Sequence, residues 1–264
     1  MIKITNQESA GFPFEKQISG KRMKDETAKR KGTTIWVTLA LGMGIAVPFL
    51  YFGVQFAAAP FYPGYSFLSR DASTLGSPGS SLPAVFNIGA ISVGILFFIA
   101  AWGFLRAFRF LGVRDFLAWP TVLAMLSGGL GSLNAGLFPL PDPRHAAGAL
   151  ASCGVGIFLL PFLLPLAMWK LLHRGPVAKY FIANIIALAA LFPIMSGLVQ
   201  RLGIMSGVGM LWYQTLLNNS QGLLQRIFAL IVFVPIAVSA FSLSRLLRSE
   251  ESSGLGTSRT IIDD

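Results

Sequence analysis

Charge is what this sequence has least of. Only 12% of its 264 residues are Asp, Glu, Lys or Arg, where soluble domains carry about 25%. The hydrophobic share is 54% and the mean hydropathy is +0.66. Together these exclude one soluble core and point to a polytopic membrane protein. Acidic residues are missing from the long apolar runs. That argues against a proton-coupled pump, whose relays need titratable groups at depth. The one cysteine, Cys153, forbids an intrachain disulfide. With two histidines and no metal-type Cys/His spacing, no metal site is implied. Glycine-rich phosphate loops, HExxH and serine-elbow motifs are absent too. No cofactor is implied.

The charge that is present is mostly of one sign, 21 Lys/Arg against 11 Asp/Glu, for a net +10. The basic residues flank apolar runs, so topology explains them better than nucleic acid does. Six apolar runs of about 20 residues each match the hydrocarbon thickness of a bilayer. They predict spans over residues 33–52, 83–105, 116–137, 146–169, 180–199 and 222–243. The first is too long and starts too late for a signal-peptide core, and reads as an uncleaved signal anchor. The expected fold is therefore all-α, a polytopic bundle of six transmembrane helices. Residues 33–244 form the membrane domain. Residues 1–32, with the basic runs Lys21-Arg22-Met23-Lys24 and Lys29-Arg30-Lys31, are expected to be disordered and drawn to anionic headgroups. The tail, residues 245–264, is also expected to be disordered.

Orientation follows from the basic residues. Eight lie in the N-terminal segment, three after span two (Arg106, Arg109, Arg114), three after span four and three in the tail. Four remain: Arg70, Arg144, Arg201 and Arg226. Positive residues stay inside, so both termini are expected in the cytoplasm, with the chain in the cell membrane. Three connections then face out. They are the Gly/Pro/Ser-rich loop 53–82, the proline-rich corner Phe138–His145, and a loop over 200–221 carrying Trp212 and Tyr213.

Small residues at four-residue spacing, Gly148, Ser152 and Gly156 on span four and Ser132 and Gly136 on span three, predict close helix packing. Pro161, Pro165, Pro193 and Pro235 lie within spans and predict kinks.

The polar residues that remain gather by height at the outer face. Tyr65, Arg70 and Asp71 belong to the first outer loop, Asn87 to the first turn of span two and Asn134 to the last turn of span three. Asp142 and His145 sit at the mouth of span four, with Gln225 and Arg226 one turn into span six, roughly 6 Å deep. An arginine there needs a partner or must snorkel, and Asp142 and Asp71 are the carboxylates on that face. Three readings stay open: an Arg226–carboxylate clamp on the outer loops, a site for a lipid headgroup or small polar ligand, and catalysis. Asp142 is expected to cap span four, whose first N–H groups are otherwise free. His145 fits a general base, a ligand or a helix-start group, and His173 reads as a headgroup-level residue. Arg226, Asp142, His145, Asn87 and Asn134 are expected to converge on one outward-facing volume.

Four short motifs in order, Tyr65-Ser66-Phe67-Leu68-Ser69, Phe86-Asn87-Ile88-Gly89, Gly136-Leu137-Phe138-Pro139 with Asp142 and His145, and Gly222-Leu223-Leu224-Gln225-Arg226-Ile227, resemble the prokaryotic family called domain of unknown function 998. The resemblance covers about residues 35–245. It implies a six-helix membrane protein, similar to DRAM/Sfk-type proteins, some of which are linked to lipid organisation. The family pattern often has an acidic residue where this chain has Gln225. The expected activity is binding or organising a membrane lipid or small ligand. A transporter and a membrane-embedded enzyme acting on headgroups are the alternatives.

Overall fold

The structure, a computed structural model, describes residues 13–146, 156–172, 175–195 and 207–260. Among these it is all-α. The helices are α1 (Pro13–Ala58), α2 (Ala84–Phe110), α3 (Asp115–Leu137), α4 (Gly156–Leu172), α5 (Pro176–Met195) and α6 (Gly207–Thr260), with 3-10 turns at Ala59–Phe61 and Ala72–Gly76. The chain divides into two compact units, Met1–Trp36 and Val37–Asp264. The first is described as the N-terminal part of α1.

Apolar side chains run right round the helices. On α2, Phe86, Val93, Phe97 and Phe104 are buried, while Ile88, Ile95, Ile99 and Trp102 are exposed. A surface helix in water carries polar residues on its outer face. Here the outer face is as apolar as the inner one, as contact with lipid requires. Thr34–Phe61, Ala84–Phe110, Asp115–Leu137 and Gln214–Ser252 are long and apolar enough to cross a membrane, and Gly156–Trp169 and Pro176–Leu191 are shorter apolar helices.

The α2–α3 turn shows how local chemistry sets the topology. Gly112 has φ +71°, a left-handed conformation open to glycine without a Cβ penalty. Val113 N donates to Phe108 O at 2.8 Å and Gly112 N to Arg109 O at 3.3 Å. Those two bonds form the paired closure that ends many helices. Arg114 is then extended and Asp115 opens α3, so the two helices return side by side. Their seam is tight where α3 ends. A Cβ on Gly136 would meet Asn87 O, and would lie 3.0 Å from Ile91 N.

The main hydrophobic core runs along the helices. Phe97, Phe104, Phe108, Met125, Leu164 and Ile236 are fully buried there. At the loop end a second buried cluster, Ala58, Ala72, Leu75 and Phe86, stands beside a cavity.

Several expectations change. Residues 13–32 and 245–260 are helical rather than disordered. The stretch Lys21 to Arg30 is rich in Lys and Arg, which are strong helix formers. The loop expected over 200–221 is helical from Gly207, and the helix breaks only at Ser220 (φ −126°, ψ 17°). Arg106 and Arg109 belong to the last turns of α2, not to a loop. Pro48 and Pro120 join the prolines inside helices. Gly156 packs against Ser127 of α3, as the small-residue spacing predicts. Gly148, Ser152, Cys153 and His173, and the side chains of Trp212 and Tyr213, lie outside the described residues.

Candidate functional site

The first outer loop is fastened to α6 through its backbone. Past the break at Ser220, Leu223 N donates to Leu68 O at 2.9 Å. Gly222 permits this approach, because a Cβ there would meet Arg70 O and lie 2.7 Å from Phe67 O. One turn on, Arg226 is 8% exposed. Its Nη1 donates to Phe67 O (2.8 Å), Arg70 O (3.1 Å) and Gly222 O (2.7 Å), and its Nη2 to the Tyr65 hydroxyl (2.5 Å). The Phe67 ring lies 4.8 Å from the guanidinium carbon and the Tyr65 ring 5.8 Å. Burial raises the Tyr65 pKa, against the opposing pull of Arg226. The phenol therefore keeps its proton and donates to Asp71 O at 3.1 Å. Gln225 adds another fastening, its Oε1 accepting from Ala72 N at 2.7 Å.

The Arg226–carboxylate clamp expected from the sequence is therefore corrected. Arg226 does clamp the outer loop, but onto carbonyl oxygens and a phenol. A guanidinium offers five donors in a planar fork, and the loop turns several oxygens toward it. Asp71 contributes its carbonyl. The Arg70 side chain turns away, Nη1 donating to the Tyr62 hydroxyl at 3.0 Å. Asp142 is engaged elsewhere. Its carboxylate accepts from Arg144 Nη2 at 2.6 Å, and those hydrogen bonds hold its pKa below the usual carboxylate range.

The proline-rich corner is built by capping. Asp142 Oδ1 accepts from Arg144 N at 2.9 Å, Pro143 stands at the first helical position, and residues 143–146 are helical. This is the capping role expected for Asp142, with proline where its missing N–H does least harm. Asn134 closes the corner from α3, Nδ2 donating to Arg144 O (3.2 Å) and His145 O (3.1 Å). His145 Nδ1 lies 2.8 Å from Phe138 O. A carbonyl only accepts, so Nδ1 carries the proton and Nε2 is the nitrogen left for other contacts. Asn87 Nδ2 donates to Gly76 O at 3.2 Å, while its Oδ1 is buried without a partner.

Between the loop, the corner and the helices lies a cavity of about 350 Å³. Of the expected site residues, His145 lines it, whereas Arg226, Asp142, Asn87, Asn134, Arg70, Asp71 and Tyr65 do not. Those seven build its surroundings instead: the fastened loop, the capped corner and the α2 contact. The predicted convergence on one volume thus resolves into two frames beside a cavity. The lining residues that sequence reasoning passed over include Tyr51, Ser73, Phe158 and Phe233. Gln225 was legible only as a neutral neighbour of Arg226. The aromatics look like any core residue.

The class is set by these features: an all-α membrane-embedded protein with a cavity at one end of its helices. The chain belongs to the family described as "Protein of unknown function (DUF998)", whose sequence profile matches residues 45–242. The matched region contains every lining residue named above. No curated protein and no solved structure matches the chain.

Proposed function

We propose that this is a six-span protein of the cell membrane, both termini cytoplasmic, that binds a lipid or small amphiphilic ligand in its outward-facing cavity. The cavity itself carries the reading. Its volume of about 350 Å³ falls in the range of ligand pockets, about 300–1,000 Å³, and its apolar wall is joined at the loop end by Ser73, His145 and Gln225. Transport is less well supported, because Phe97, Phe104, Leu164 and Ile236 are fully buried in the main core along the helices. Catalysis is less well supported because no carboxylate is among the described lining residues. His145 thus lacks the paired acid or base that hydrolytic chemistry needs.

The span count and orientation have a direct test. With Cys153 replaced by Ser, Pro78→Cys is expected to react with an impermeant thiol reagent from outside and Ser252→Cys from inside. Both positions are exposed. Reaction of both from one side rejects the topology. For binding, native mass spectrometry of protein released from nanodiscs is expected to show a retained amphiphile. The lining residue Ala135 offers a way to evict it. Ala135→Phe should lose that species while melting at or above the parent temperature. Retention of the same amphiphile by Ala135→Phe would place it outside the cavity and end this reading.

A further inference from the structure

Resting on the cavity as a binding site, we propose that its occupant is a single-chain amphiphile of about a dozen non-hydrogen atoms whose carboxylate-type head sits at Gln225.

Size comes first. A water-sized group takes about 30 Å³ at liquid density, so about 350 Å³ holds about a dozen atoms. That is room for one medium-length chain. The shape agrees. Lining positions run from Phe86 to Val93 on α2 and from Gln225 to Phe233 on α6, roughly 10–12 Å along the helices at 1.5 Å per residue.

The two ends differ. Phe233, Val93 and Gly128 line the deep end, and the polar groups gather under the loop. Two of them, Gln225 and Ser73, have donors to spare, while His145 presents Nε2 as an acceptor. Gln225 Oε1 is taken by Ala72 N, which turns the amide so that Nε2 is its free side. That nitrogen has no protein acceptor among the described residues, and neither does the Ser73 hydroxyl. No carboxylate is among the described lining residues. The neighbouring Arg226 carries a full positive charge held by neutral oxygens. Its buried Nε has no partner among the described residues. A cationic head would meet this field with no counter-charge. An anionic head would gain charge-assisted hydrogen bonds strengthened by the low dielectric around them.

The test uses the full-length chain in phosphatidylcholine nanodiscs, with diazirine-bearing decanoate and decyltrimethylammonium as probes. Labelling is normalised to the probe present in the bilayer. Decanoate is expected to label peptides of α3 and α6 saturably and to bind at least tenfold more tightly than the ammonium probe. Gln225→Glu keeps an oxygen for Ala72 N, and so the melting temperature, but exchanges the free donor for negative charge. It is expected to weaken decanoate at least tenfold and to reverse the preference. Should that variant melt lower, Ser73→Ala, which breaks no bond of the loop, is expected to weaken decanoate threefold or more. Equal labelling by both probes overturns the head assignment while the cavity stands as a site. So does an unchanged preference in Gln225→Glu, or unchanged affinity in Ser73→Ala where that variant is needed. Failure of both probes to label the cavity saturably overturns the binding reading itself.

Discussion

Replacing Arg226 with Leu is expected to destabilise the protein by about 3 kcal/mol or more and to free the first outer loop from α6. The substitution removes donors from Phe67 O, Arg70 O, Gly222 O and the Tyr65 hydroxyl together. Each buried acceptor left without a partner costs about 1–3 kcal/mol. Part of that is recovered where the loosened loop reaches water. Hydrogen exchange over residues 65–76 should rise sharply, and the melting temperature in nanodiscs should fall. Arg226→Lys should be intermediate, since an ammonium keeps the charge but loses the planar fork. The same geometry forbids a rescue. Asp142 pairs with Arg144, so Arg226→Gln and Asp142→Asn made together should lose at least as much stability as Arg226→Gln alone. Recovery in the double variant would mean that the two side chains are partners after all.

The second large effect is expected at Gly136. A side chain there meets the backbone of α2 at Asn87 and Ile91, and backbone cannot turn aside as a flexible side chain can. Gly136→Val should therefore push the end of α3 away from α2. Overpacking costs about 1–3 kcal/mol, and this site belongs at the upper end. In lipid, helices associate chiefly through such close contacts and not through the hydrophobic effect, so the lost fit is not offset. Asn134, two residues away, should then release the corner that holds His145. The melting temperature should drop, and the amides of residues 143–146 should exchange faster. Leu130→Val, at an exposed position on the same helix, should change neither. A normal melting temperature for Gly136→Val would show that α2 and α3 are not in tight contact there.

The parts legible in the sequence are those that depend on near neighbours or on composition. The scarcity of charge and the apolar runs determined an all-α membrane protein. Span three, read as 116–137, is α3 at Asp115–Leu137. The cap at Asp142 followed from an acid, a proline and a helix within four residues. Segment ends were read less well. The break at Ser220 involves a residue with no strong helix-breaking signature, and a basic flank can be a helix or a coil on the same composition.

The tertiary structure alone decided what Arg226 holds and where the cavity lies. Arg226 finds its oxygens on residues 156 to 161 positions away in the chain. Two of those oxygens are main-chain carbonyls, and every residue carries one. No side-chain pattern announces which carbonyl will turn toward a guanidinium. The same holds for Gln225, whose amide has a direction only because Ala72 N comes within 2.7 Å of it. The cavity is a space left between α1, α2, α3, α4 and α6, and its lining of Gly, Ala, Ser and Phe is the set that also makes tight packing. Whether such residues close a gap or leave one depends on how far apart the helices stand, and that distance is a property of the assembled fold.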